Sequence, residues 1–196
     1  MDDTVKILGI PGSLRRESYN RSALRAAIGL VPSGAAIETF ELDEIPIFNQ
    51  DHENDPPPAV VEFKRRIREA DAILFVTPEY NYSIPGVLKN AIDWASRPPG
   101  DDAWSGKAVA VMGASPGFLG TARAQYQLRQ IFVSLNMFTV NRPEVLIANA
   151  DERFDEQGEL KDDRTKEKIG ELLRSLVNLS RTLKNPEDCR IAWQLA

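Results

Sequence analysis

The stretch Val5-Lys6-Ile7-Leu8-Gly9-Ile10-Pro11-Gly12-Ser13-Leu14-Arg15-Arg16-Glu17-Ser18-Tyr19-Asn20 decides the fold. A short apolar run ends at Pro11-Gly12, a polar loop follows, and a helical pattern opens near Asn20 and continues to Leu30. An apolar strand that runs through a loop into a helix is the first half of a parallel crossover. Main-chain N–H groups at the start of that helix, with its dipole behind them, favour an anion. Ser13, Ser18 and Asn20 add short hydrogen-bonding side chains, and Arg15 adds a positive fork. The loop reads as a cradle for a terminal phosphate, although Ser18 or Asn20 could serve simply to cap the helix.

The same alternation continues outward from this segment. Strands are expected at Ile37–Leu42, Ala72–Thr77, Ala108–Gly113 and Val145–Ala148. Helices are expected from Ala59, after the stiff Pro56-Pro57-Pro58 run, from Pro85-Gly86, and over Thr121–Leu135. A last helix, capped by Asp162 or Asp163, turns Ile169, Leu172, Leu173, Leu176 and Leu183 to the core. On the helix after Gly86 the apolar stripe is Val87, Leu88, Ala91, Ile92 and Ala95, with Trp94 falling outside it; on the next, Ala124, Leu128, Ile131 and Leu135 face inward. The pattern predicts an α/β chain forming one domain over residues 1–196: a five-stranded parallel sheet with helices on both faces and a ragged tail from about residue 184.

Five strands permit several orders. In the order 2-1-3-4-5, strands 1, 3 and 4 are neighbours, and ligands of such sheets sit outside the carboxyl ends of the strands where the order reverses. The loops after those three strands are the most chemically marked segments of the chain. The second, Thr77-Pro78-Glu79-Tyr80-Asn81-Tyr82-Ser83-Ile84-Pro85-Gly86, is a rigid, aromatic, hydrogen-bonding turn suited to a planar ring. The third, Gly113-Ala114-Ser115-Pro116-Gly117-Phe118-Leu119-Gly120, lets backbone approach a ligand closely.

Composition narrows the classes. A net charge of −5 over 196 residues argues against nucleic acid, whose phosphates are bound through Lys and Arg. No apolar run reaches the ~20 residues of a membrane helix. The acidic Met1-Asp2-Asp3 start and the single Cys189 fit a cytoplasmic address. One His and one distant Cys build no metal site. Gly113-Ala114-Ser115-Pro116-Gly117 matches the nucleophile elbow of serine hydrolases, but His52 precedes the serine and Pro116 lacks the N–H that the oxyanion hole needs. Gly100 to Lys107 is one residue too long for a P-loop, Ala108 stands where Ser or Thr is required, and no G-x-G-x-x-G occurs.

Gly12-Ser13-Leu14-Arg15 with Ser18 and Asn20, then Thr77-Pro78-Glu79-Tyr80-Asn81 and Pro85-Gly86-Val87-Leu88-Lys89-Asn90-Ala91-Ile92-Asp93-Trp94, resembles the NADPH-dependent FMN reductase family, which includes bacterial chromate and quinone reductases. The similarity runs from about residue 4 to 180. It implies a flavodoxin-like fold of strand order 2-1-3-4-5, with FMN as cofactor and NADPH or NADH as co-substrate. It assigns the FMN phosphate to Ser13, Arg15, Ser18 and Asn20, and one border of the isoalloxazine ring to Pro78, Glu79, Tyr80, Asn81 and Tyr82. Ser115 and Gly117 lie on the ring's other side. Two electrons would pass from the nicotinamide to a small acceptor such as a quinone, a free flavin, an azo compound or chromate. No side chain is obliged to act as acid or base, so no catalytic residue is named.

The readings in a different class are a one-electron carrier of the flavodoxin type and a module that holds FMN without turnover. Carriers tend to be strongly acidic, and −5 is modest. A homodimer or homotetramer is expected, built from the helices at Gly86–Ser96 and Thr121–Leu135. Trp94, off its apolar stripe, and Arg123, Tyr126 and Arg129 suggest an interface.

Overall fold

The computed structural model describes residues 4–185. Strands β1 (Val5–Pro11), β2 (Ala35–Thr39), β3 (Ala72–Val76), β4 (Ala108–Ala114), β5 (Phe138–Thr139) and β6 (Val145–Ile147) form one parallel sheet. Its order is β2-β1-β3-β4-β5, with β6 also pairing β4. The helices are α1 (Tyr19–Gly29), α2 (Pro58–Glu69), α3 (Gly86–Ala95), α4 (Ala122–Ser134), the single turn α5 (Ala150–Arg153) and α6 (Asp163–Lys184).

The fully buried β3 alternates its side chains between two cores. Ile73 and Phe75 meet α2, α3 and α4 in a core rich in rings, where Phe75 stacks on Phe132 at 5.3 Å and lies 5.7 Å from Trp104. Ala72, Leu74 and Val76 face α1 and α6 in an aliphatic core with Ile7, Met112, Leu173 and Leu176. The sheet is thus covered on both faces, as its unbroken apolar strands require.

The structure corrects the sequence reading at several places. β2 begins and ends earlier than Ile37–Leu42, because its pairing with β1 runs from Val5 with Ala35 to Gly9 with Thr39. Leu42 owes its burial to the loop beyond, which folds back onto the core. The expected fifth strand is β6, and a two-residue strand that the sequence reading did not place, β5, also lies on β4; a segment holding Pro143, which cannot donate to a ladder, separates the two. On α4, Phe132 is buried and Ile131 and Leu135 are only half-buried; Val87 and Leu183 are likewise half-buried. Trp94 is not an outward-facing residue. The loop before α2 folds over α3, so the Trp94 indole N–H donates to the Pro46 carbonyl at 2.8 Å and its ring meets Phe48 edge-on. Cys189 and all but the first residues of the expected tail lie outside the described residues. Among the described residues no helix is long and apolar enough to cross a membrane.

Asp162 caps α6, accepting from the Thr165 amide at 2.9 Å. The Thr165 hydroxyl, then its amide and the Arg153 guanidinium, hold the Asp162 carboxyl below its ordinary value against a smaller upward push from burial. A depressed carboxylate stabilises the fold above its unfolded pKa and loses that contribution as pH falls. Asp162→Ala should cost about 0.5–2 kcal/mol near neutral pH. Thermal unfolding across pH should show the gap to the parent closing below about pH 4. A gap unchanged in acid would mean that the charged cap is not its source.

Candidate functional site

The carboxyl ends of β1, β3 and β4 crowd together. A Cβ on Gly12 would sit 2.7 Å from Thr77 Oγ1, and one on Gly113 would overlap the Thr77 carbonyl and Thr121 Oγ1. Glycine at both positions lets the three strand ends meet and sets their loops side by side.

Loop 1 runs from Gly12 to the start of α1. Ser18 caps the helix, its Oγ accepting from the Asn20 amide at 3.2 Å, and the first turn of α1 carries no acidic residue. No carboxylate within the helix itself offsets its positive end, which faces the loop. Ser13 is buried, with its Oγ 3.3 Å from the Arg15 amide nitrogen that donates to it. Arg15 is exposed, its guanidinium 5.7 Å from the Tyr19 ring centre.

The Asn20 side chain also ties loop 1 to the sheet. Its Nδ2 donates to the Ala114 carbonyl at 2.9 Å, and its Oδ1 accepts from the Ala114 amide at 2.8 Å. The carboxamide therefore mimics a strand residue and ties loop 1 to the last residue of β4. Arg21, which sequence reasoning passed over, braces the same loop. Its Nε donates to the Ser13 carbonyl at 3.2 Å while its guanidinium pairs with Glu41 at 2.6 Å. Burial pushes the Glu41 carboxyl up, and Arg21 partly offsets that.

Loop 2 is a hairpin. Tyr80 and Ser83 exchange both backbone hydrogen bonds, at 3.0 and 2.9 Å, across Asn81 and Tyr82. Both central residues have positive φ, 51° and 65°, which is the type I′ pattern. For a tyrosine that conformation costs about 1–2 kcal/mol. Two residues of α4 hold the turn in place. Gln127 donates to the Tyr82 carbonyl at 2.9 Å and accepts from the Ser83 hydroxyl, and the Arg123 guanidinium lies 3.7 Å from the centre of the Tyr82 ring.

Glu79 completes this clasp. Its side chain is 4% exposed and pairs with Arg123; its Oε2 accepts from the Arg123 and Ala124 amides at 3.0 and 3.3 Å. Thr121 makes no side-chain cap at the head of α4, so the Glu79 carboxylate supplies that cap from loop 2. Arg123 and Gln127 were missed as site residues. Their signal was spacing: i and i+4 in the first half of the helix that leaves loop 3, which places both beside the strand ends.

In loop 3 the Ser115 Oγ accepts from the Gly117 amide at 3.1 Å, and Phe118 stands 82% exposed at the tip. A cleft of about 410 Å³ opens between loops 2 and 3, lined by Glu79, Asn81, Tyr82, Ser115, Gly117, Phe118 and Arg123 among others. Five residues singled out in the sequence converge there. Pro78 is buried beneath it, and Tyr80 stands exposed at the hairpin's base. A larger hollow of about 800 Å³ lies along β6 and α6, but no residue of the three loops lines it.

The Asn20 link carries a testable consequence. Asn20→Ala strands a buried N–H and a buried carbonyl, at about 1–3 kcal/mol each. Unfolding of flavin-free protein should show the loss directly. A variant with unchanged stability would leave Asn20 as a ligand contact and not a tie between loops.

The chain matches the model of the family described as NADPH-dependent FMN reductase over residues 5–152. It is 54% identical over 185 residues to the NAD(P)H-dependent FMN reductase of Pseudomonas aeruginosa, an alignment covering 94% of this chain and 100% of that one. It is 46% identical over 163 residues to a quinone reductase of Pseudomonas putida, covering 83% and 88% of the two chains. Among solved structures it superposes on FerB, a flavoenzyme NAD(P)H:(acceptor) oxidoreductase from Paracoccus denitrificans. There the TM-score is 0.84 at 33% identity, with 91% of this chain and 98% of that one covered. The chain belongs to the NADPH-dependent FMN reductase family.

Proposed function

We infer that the protein is an NAD(P)H-dependent FMN oxidoreductase delivering two electrons to quinones, flavins or related small acceptors. The observation that carries this reading is the convergence of the three loops on one end of the sheet, in a chain of this family. The residues present fit the cofactor. Loop 1 offers an anion site built from the α1 N-terminus, Ser13, Ser18 and Arg15, and the adjoining cleft has the aromatic walls and glycine backbone that a flat ring needs.

When bound, FMN supplies hydride acceptance from nicotinamide and onward transfer of two electrons. The protein's own part is positional. Arg15 and the loop 1 amides hold the phosphate. The Asn81–Tyr82 turn, kept in place by Arg123 and Gln127, borders the ring, and Ser115 and Gly117 bound it opposite. Tyr82 and Phe118, both largely exposed, leave a face open for nicotinamide and acceptor in turn. An open face of this kind favours turnover over a one-electron carrier. A cytoplasmic location, where reduced nicotinamide is made, belongs to the same reading.

Purified protein should be yellow, with about one FMN per chain expected for a single strand-order switch point. Anaerobic stopped-flow mixing with NADPH should bleach the flavin rapidly; slow or absent bleaching would favour a carrier or a non-turnover module. Arg15→Ala should weaken FMN binding by about 1.5–3 kcal/mol, the range for a hydrogen bond to a charged group. Unchanged FMN affinity would make Arg15 a surface charge only.

We also propose a homodimer or homotetramer. The support has moved from Trp94, which is buried, to the outer face of α4 and its flanks, where Leu119, Tyr126, Val133 and Phe138 are exposed. Light scattering should give a mass of two or four chains, and Val133→Glu should lower it. A monomer at micromolar concentration would end this part of the reading.

A further inference from the structure

A second cleft, of about 330 Å³, lies between loop 1, α1 and the turn at 155–158. Arg15, Arg16 and Arg25 line it. None of the three forms an ion pair among the described residues. Carboxylates are at hand, since Glu17, Asp155 and Glu156 border the same cleft. Asp155 is turned back into its own turn, where it accepts from the Gln157 and Glu159 amides at 3.0 and 2.8 Å.

Arg25 is held in position. A single nitrogen, Nη2, donates both to Ser22 Oγ at 2.9 Å and to the Gly158 carbonyl at 3.4 Å. The remaining donors of its fork are left for a ligand. Half-buried Tyr19 adds a ring to the wall, stacked on Phe154 at 5.6 Å with the Arg15 guanidinium 5.7 Å from its centre. Guanidinium forks bind phosphoryl oxygens, and the accessible edge of a ring accepts a base edge-on. Neither the FMN phosphate, assigned to loop 1, nor the ring, assigned to loops 2 and 3, uses Arg16, Arg25 or Tyr19.

The geometry points to this cleft as a subsite for an adenosine phosphate. The proposal rests on the reading of Arg15 as a ligand of the FMN phosphate, because Arg15 is what joins the two sites. One chemistry has two sources here: the 2′-phosphoadenosine half of NADPH, or the AMP half of FAD.

Calorimetric titration of the FMN-loaded protein with 2′,5′-ADP, and separately with 5′-AMP, reads the subsite without turnover. Saturable binding is expected, and Arg16→Gln and Arg25→Gln should each weaken it about tenfold, the effect of losing one charge-assisted hydrogen bond. FMN content should not change. Arg25 braces the turn at Gly158, whereas Arg16 makes no hydrogen bond among the described residues, so Arg16→Gln probes the subsite without disturbing its frame. Tighter binding of 2′,5′-ADP, with KM raised for NADPH and not for NADH in the variants, assigns the subsite to the co-substrate. Equal binding of 5′-AMP, with FAD uptake by stripped variants weakened more than FMN uptake, assigns it to FAD. Failure of both nucleotides to bind, or binding indifferent to both substitutions, overturns the proposal. Protein that takes up no FMN contradicts the oxidoreductase reading instead, whatever the nucleotides do.

Discussion

The Asn20 carboxamide, bonded by both ends to the main chain of Ala114, is the constraint on which the site depends. β3 lies between β1 and β4, so a tie from the head of α1 to the end of β4 must cross over the end of β3. That crossing is possible because Gly12 and Gly113 have no Cβ to collide with Thr77 and Thr121. Loop 1 and loop 3 are thereby fixed to each other before any ligand arrives. Preorganisation of this kind reduces the ordering cost of binding.

Loop 2 is held by a different means. Its hairpin places an aromatic residue at positive φ, a conformation that Gly or Asn adopts more readily. The compensation comes from α4, through Gln127 on the turn's backbone, Arg123 on the Tyr82 ring, and Glu79 returning to cap the helix. Glu79 and Arg123 are coupled, since the Glu79 carboxylate pairs with the Arg123 guanidinium while also accepting from the Arg123 and Ala124 amides. Strained turns of this sort persist where their surroundings over-determine them, commonly at ligand sites.

Much of this was legible in the sequence. The apolar strands and the two helical layers follow from alternation, and the family, with the strand order it implies, follows from the two long motifs. What was hidden shares one cause, long-range contact. The tie between Asn20 and β4 is hidden because nothing local shows that Ala114, far along the chain, bonds both ends of its amide. Trp94 reads as an interface residue because nothing local shows the loop at Pro46 closing over it. Arg123 reads as an interface residue until Glu79 and Tyr82 are placed beside it. Periodicity reports which face of an element is buried by the sheet; it does not report what a returning loop covers.

The central claim is that FMN lies across the three loops at the strand ends. Titrating FMN into isotope-labelled, flavin-free protein and following backbone amide resonances tests it most directly. The account predicts the largest shifts at Ser13–Ser18, Glu79–Tyr82 and Ser115–Gly117, with the hollow along β6 and α6 little changed. Shifts concentrated at Arg142, Lys168 and Arg174, with the three loops silent, would contradict it.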